Sequence, residues 1–484
     1  MRKKLHTITF NSAIYMLKTI FTMIFPLVTI PYVTRILGVN GYGKVNFISS
    51  IISYFLLLAS LGISSYGIRE GVRVKDKKRE FDSLVSELFT INIISTIVSY
   101  GIFLLFLLFS NKMREYAVLA LILSIKILLQ PMSLEWIYNV FEDYIFITIR
   151  TIVIQIFSVI YLFLWVTDKQ DVYQYAMYLV ISSVAINISN YIYSKKYCKI
   201  EIKFSKKILC HIVPIFILFF SSIASQIYVN ADTTMIGFMK NDSEVGLYTA
   251  ATNIYNMLRN ILGALVTVFS TRLACEFVLN KEKYSRLFSK LFQSIIIFCI
   301  PISIGCIFLA RDMILILNGN SYLEAGTSLR ILACALNFSV IGSLFSTGVL
   351  IPSKQEKIIL MATIVGAILN IGLNIVAIYR FGICGAAITT CISELIVMII
   401  QIHYSSKYIK NIMNLSDLLK LLLAILSVVL ICYVVDIFME GWKKIIISFL
   451  TSTAVYFGVL AITRNSVIDE FISVHRKKHW GQTP

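Results

Sequence analysis

The sequence predicts an all-α, polytopic membrane protein of about 14 transmembrane helices, and three observations predict it. First, the 484 residues are 58% hydrophobic and only 14% charged, against roughly 25% charged in soluble domains. Mean hydropathy is +0.81. Second, apolar runs of about 20 residues recur along the whole chain, each long enough to cross about 30 Å of hydrocarbon as a helix. Third, lysine and arginine collect in short clusters between those runs, as they do on the cytoplasmic side of membrane proteins. Continuous runs exclude an outer-membrane barrel, whose strands alternate in polarity over about 10 residues.

The first span, 9–36, follows Arg2, Lys3 and Lys4 as a signal peptide would. The run is too long for a signal peptide and has no small-residue cleavage pattern, so it is kept as a membrane helix. A glycine-rich turn leads to the second span, 44–66, and the basic stretch "REGVRVKDKKRE" (69–80) to the third, 84–109. The fourth, 116–138, carries Lys126, which either snorkels or pairs with Glu135. The fifth and sixth, 146–166 and 173–194, precede a second basic stretch, "SKKYCKIEIKFSKK" (194–207). The seventh, 211–238, holds Asp232, and the eighth, 246–270, is unusually polar. The basic stretch "NKEKYSRLFSK" (280–290) introduces the ninth, 288–310. The longest outer loop, Arg311 to Gly326, separates it from the tenth, 327–351. The remaining spans are 357–379, 383–405, 418–438 and 444–462, and the chain ends on a basic tail, "HRKKH" (475–479). With the N-terminus inside, inner segments outweigh outer ones in lysine and arginine by roughly three to one, which places both termini in the cytoplasm.

Several function classes fall away. The net charge of +18 is spread over inner loops, so it does not indicate a nucleic-acid surface. The nine cysteines show no CxxC spacing, and Cys299, Cys306, Cys391 and Cys432 lie in apolar runs as packing residues. The five histidines are scattered, so no metal or cofactor site is expected. "GVNGYGKV" (38–45) nearly matches a phosphate-binding loop, but Val45 stands where a hydroxyl would hold Mg²⁺, and its glycines suit a tight turn. No nucleophile elbow or long outer loop offers an active site. Pro26 lies inside the first span and should kink it.

Polar residues inside the spans fall at helical spacing. Asn11, Tyr15, Lys18, Thr22 and Thr29 share one face of the first helix, and Asn46, Ser49, Ser53 and Ser60 one face of the second. Ser221, Ser225, Tyr228 and Asp232 do the same on the seventh. On the eighth the stripe is Thr249, Asn253, Asn256, Arg259 or Asn260, Gly263 and Thr267. A charge at the bilayer centre costs about 2.5–3.5 kcal/mol, so Asp232, Lys18 and Arg259 should face a wet interior or a partner, as should Glu394 in "CISELIVMII". Cavity lining and a structural ion pair both remain open for these charges.

Two junctions echo each other. "RILGVNGYGKVNFISSI" from Arg35 and "TMIGFMKNDSEVGLYTAATNI" from Thr234 both run from an apolar end through a glycine and a polar turn into a small-polar helix start. Self-similarity at an offset of about 200 residues suggests two related six-helix halves. The expected division is 1–200 for helices 1–6, 201–412 for helices 7–12, and 413–484 for helices 13–14 and the tail.

The chain also resembles a known family. "PYVTRILGVNGYG" (31–43), "YGIREGVRVKDKKREF" (66–81), "EWIYNVFEDYIFITIR" (135–150), "QIYVNADTTMIG" (226–237), "EVGLYTAATNI" (244–254), "VLIPSKQEK" (349–357) and "VGAILNIGLNIVAIYRFGICGAAITTCISELI" (365–396) resemble Wzx-type repeat-unit flippases, the O-antigen transporters. These form the polysaccharide-transporter branch of the multidrug/oligosaccharidyl-lipid/polysaccharide exporter superfamily. The resemblance implies two six-helix bundles facing each other across a central cavity, plus two C-terminal helices. It implies alternating access that carries an undecaprenyl-diphosphate-linked oligosaccharide across a bacterial cytoplasmic membrane for O-antigen, capsule or exopolysaccharide synthesis. A multidrug exporter of the same superfamily is the alternative, and a membrane glycan polymerase is disfavoured. The residues expected to meet cargo are Lys18, Arg259, Asn11, Tyr15, Asn253 and Asn256, with Asp232 and Glu394 as cavity or coupling charges. Expected partners are the lipid-linked oligosaccharide, bacterial membrane lipids, a proton or Na⁺, and polysaccharide polymerase and chain-length proteins.

Overall fold

The computed structural model describes the backbone of residues 2–205, 207–409 and 414–469, and the side chains of these except 2–13, 15, 16, 221, 271 and 415. Asn11, Tyr15, Ser221 and the basic tail therefore lie outside the described side chains. Every regular element among the described residues is helical. Among the described residues, twelve helices are long and apolar enough to cross a membrane.

Two of the twelve are too long for one crossing. Leu17–Val74 has 58 residues and Glu356–Ser405 has 50, or about 87 and 75 Å at 1.5 Å per residue. Each is broken at a glycine. In α1 (Arg2–Ser60), Gly38 has φ 66° and ψ 179°. In α13 (Glu356–Ser405), Gly382 has φ 55° and ψ −134°. Side chains with a Cβ avoid these values. Around Gly382 the chain reverses. The Thr389 hydroxyl donates to Asn374 Oδ1 at 2.5 Å, although 15 residues of straight helix would separate them by about 22 Å. Counting each half of these helices reproduces the expected spans. Helical dihedrals continue through Pro26 and Pro31, so the break in α1 comes at Gly38 and not at the prolines.

The chain divides into two compact units, Met1–Gly246 and Leu247–Pro484. The first contains α1, α2 (Ile63–Val74), α3 (Lys78–Phe109), α4 (Asn111–Arg114), α5 (Ala117–Leu128), α6 (Glu135–Phe141), α7 (Tyr144–Trp165), α8 (Val172–Ser194) and α9 (Ile208–Met239). Its core gathers Tyr66, Phe81, Trp136, Tyr138 and Phe219, all buried. The helix α9 packs within this unit, against α1, α2 and α3. Ser50 and Thr234 hydroxyls meet at 2.9 Å, and Phe47 and Phe238 rings pack edge to face. The two echoing junctions also touch. A Cβ built on Gly43 would lie 1.7 Å from the Asp242 carbonyl oxygen, and one on Gly246 2.1 Å from that of Val39.

The second unit holds α10 (Asp242–Leu279) from Leu247 onward, α11 (Lys281–Asn318), α12 (Ala325–Phe345), α13, α14 (Leu415–Phe438) and α15 (Gly441–Ile462). The last two helices dock on α11 through Ile297, Leu421, Val428, Tyr456 and Leu460. Tyr456 donates to the Ile297 carbonyl at 2.8 Å. Buried Lys444 lies 2.6 Å from Asp312 Oδ2 and also pairs with Asp436.

Stretches expected as loops proved helical. The α11 helix continues to Asn318, so the anticipated outer loop from Arg311 shrinks to the segment around Gly319–Glu324. Its far end starts earlier than expected, at Lys281, because the Asn280 side chain accepts from the Lys283 N–H at 2.9 Å and caps it. The basic 69–80 stretch likewise forms the end of α2 and the start of α3.

Candidate functional site: charged clusters at membrane depth

In the first unit, the expected cargo cation Lys18 is engaged. Its Nζ lies 2.9 Å from Glu135 Oε1. The other Glu135 oxygen takes Arg150 Nη2 at 2.6 Å. Arg150 also bonds Asn190 Oδ1 and lies against the Phe146 ring, 5.6 Å from its centroid. One carboxylate thus serves two cations and ties α1, α6, α7 and α8 together. Arg150 is 5% exposed. Glu135 does not pair with Lys126, which is half-buried and makes no ion pair among the described residues. The hub roles of Glu135 and Arg150 were missed at the level of sequence. The available signal was a charge inside the fifth span, since such residues are rare without a partner.

Just outside this cluster, Asp143 caps α7 and accepts from Tyr193 at 3.0 Å and Tyr197 at 2.5 Å. Burial opposes its ionisation. The Tyr197 hydroxyl, the Phe146 N–H, Tyr193 and the Lys196 charge outweigh that and hold its carboxyl below the usual aspartate range. The stability this contributes is present above the ordinary aspartate pKa and is lost as pH falls through the lowered one.

Asp232, on α9, is buried, and two residues on, the Thr234 hydroxyl lies 3.3 Å from that of Tyr54. The hydroxyls of the second-span stripe largely satisfy themselves on their own helix. Ser53 donates to the Ser50 carbonyl and Ser60 to that of Leu57. Ser49 Oγ is buried without a partner among the described residues.

In the second unit the structure brings Arg259 and Glu394 together. Arg259 Nη2 lies 3.7 Å from Glu394 Oε1, with side-chain exposures of 38% and 6%. That is an ion pair beyond hydrogen-bond length. On the same face Asn256, Asn260 and Thr267 are exposed and Asn253 is half-buried. Tyr255 Oη, Ser339 Oγ and Ser393 Oγ are buried around Glu394 on α10, α12 and α13.

Polysaccharide biosynthesis proteins match this chain over residues 8–270, more than half of its 484. The chain belongs to the polysaccharide biosynthesis protein family. This family member is 22% identical over 386 residues to a protein named "Putative O-antigen transporter" from Shigella dysenteriae, covering 78% of this chain and 95% of that one. A protein of the same name from Escherichia coli strain K12 is 22% identical over 388 residues, 78% of this chain and 92% of that one. Among solved structures, the lipid II flippase MurJ in an inward closed conformation superimposes with a TM-score of 0.76. It is 20% identical and covers 94% of this chain and 99% of its own. This polysaccharide biosynthesis protein is therefore a multi-pass membrane protein with the fold seen in that flippase structure.

Proposed function

We propose that the protein is a flippase for undecaprenyl-diphosphate-linked oligosaccharide repeat units in a bacterial cytoplasmic membrane, working by alternating access with both termini cytoplasmic. Its product feeds O-antigen, capsule or exopolysaccharide synthesis, alongside a polymerase and chain-length proteins. Arg259 carries the reading. It is a guanidinium over one-third exposed inside a 38-residue apolar helix, beside exposed amides at Asn256 and Asn260. Lipid leaves such groups without hydrogen bonds, so this face suits water, a diphosphate and sugar hydroxyls. Glu394 positions the guanidinium on one side. On the first unit the proposed cations are the half-buried Lys126 and Lys18, the latter held by Glu135, and the polyprenyl tail stays in lipid. Asn11, Tyr15 and Asn253 complete the proposed contact set. Asp232 serves as a cavity charge or as the coupling charge for a proton or Na⁺.

Arg259→Ala is expected to abolish surface glycan in the native host while the protein level in the membrane stays near wild type, and Arg259→Lys should restore part of it. A hydrogen bond to a charged group is worth about 1.5–3 kcal/mol, or roughly ten- to a hundredfold in cargo affinity. Loss of glycan matched by equal loss of protein would assign Arg259 a structural role instead.

A further inference from the structure

One half-buried histidine is gripped from both ring nitrogens. His211 lies in the first turns of α9. Its Nε2 is 2.9 Å from Glu87 Oε2 on α3, and its Nδ1 is 2.7 Å from the Tyr66 hydroxyl on α2. The His211 and Glu87 side chains are 16% and 4% exposed. The other Glu87 oxygen accepts from Ser83 at 3.0 Å.

This geometry satisfies two protonation states. With a neutral ring, Nε2–H donates to Glu87, and Nδ1 accepts from the Tyr66 O–H. With a charged ring, both N–H groups donate, and the Tyr66 hydroxyl turns its proton away. No ring nitrogen loses its partner in either state, but the charge balance changes. Protonated, the contact is an imidazolium–carboxylate pair. Deprotonated, it leaves a buried carboxylate held by two neutral donors, which is costly. Histidines as a class change charge between about pH 5 and 8.

A proton has a route. Glu87 and His211 line an open cavity of about 690 Å³. The charged groups around it come from every neighbouring element. From α2 comes Glu70, paired with Arg69 and Arg73. From the start of α3 come Arg79 and Glu80, the latter paired with Lys77. From the segment before α9 come Lys203, bonded to Ser83 at 2.7 Å, and Lys207. Cys210 stands beside His211 on α9 itself, and α1 packs Leu57 and Leu58 against this core.

We propose that Tyr66, His211 and Glu87 form a proton-binding site that, when loaded, holds the start of α9 to α2 and α3, and that loosens this hold when the proton leaves through the cavity. The site itself stands apart from the flippase reading. Only its consequence, a transport rate set by pH, rests on that reading.

The test uses the purified full chain in nanodiscs. Thermal unfolding is followed from pH 5 to 8.5 for the wild type, His211→Gln and Glu87→Gln. The protonated state is the tighter one, so wild-type stability should fall as pH rises, by about 2 °C or more in midpoint. His211→Gln should lack that step, and Glu87→Gln should move it to lower pH. A step unchanged in His211→Gln overturns the proposal. Where His211→Gln fails to fold, a step unmoved in Glu87→Gln overturns it equally. Transport in proteoliposomes loaded with undecaprenyl-diphosphate-linked sugar then separates the two readings. Loss of pH dependence in His211→Gln with transport retained supports the coupling. A titration step present without any wild-type transport keeps the proton site and rejects the flippase.

Discussion

Glu135→Ala is expected to remove most of the folded protein from the membrane. The carboxylate neutralises Lys18 at 2.9 Å and Arg150 at 2.6 Å. Arg150 is 5% exposed, and Glu135 is its carboxylate partner among the described residues. Without it, a guanidinium stays buried with the neutral partners Asn190 and Thr151. Breaking a buried pair from one side costs about 3–5 kcal/mol, a large part of the roughly 5–15 kcal/mol that holds a domain together. Membrane abundance and the thermal midpoint should both drop sharply. The double change Glu135→Ala with Arg150→Met removes the stranded charge and should recover much of the loss, because the two effects are coupled. Additive losses in the double variant would show that Arg150 is not the source of the penalty. A well-folded Glu135→Ala that fails only in glycan export would move the cluster from structure to cargo handling.

Gly43→Ala should be the second severe change. The new Cβ would sit 1.7 Å from the Asp242 carbonyl oxygen and 2.7 Å from its carbon. These are backbone atoms, so no rotamer change relieves the overlap. The junctions at 38–46 and 240–246 would have to part, and with them the Ser50–Thr234 and Phe47–Phe238 contacts of α1 with α9. Overpacking typically costs about 1–3 kcal/mol, and more where backbone must move. Gly101→Ala is the matched control. Gly101 lies within α3 with nothing within 4 Å of an added Cβ, and alanine in a helix should gain about 0.5–1 kcal/mol. Thermal midpoints should therefore move in opposite directions. Equal midpoints for the two variants would show that the junctions are not packed as described.

The membrane spans were legible because their signal is local. Apolarity and length decide whether a segment crosses a bilayer, and each apolar run came to lie in a helix, with the double crossings marked by Gly38 and Gly382. Helix ends were not. The Asn280 cap and the extension of α11 to Asn318 depend on polar residues whose loop and helix preferences differ little.

What only the tertiary structure decided is which partners meet. Lys18 and Glu135 are 117 residues apart, and His211 and Glu87 are 124 apart. No spacing rule links helices so distant in sequence, and a carboxylate inside a span announces only that it needs a partner. The sequence offered Lys126 for Glu135, while the fold supplied Lys18 and Arg150. The grouping of α9 with the first unit, and of α14 and α15 with α11, has the same origin. Local chemistry determines that a helix forms and spans, whereas the complementarity of side chains on separate helices determines where it docks.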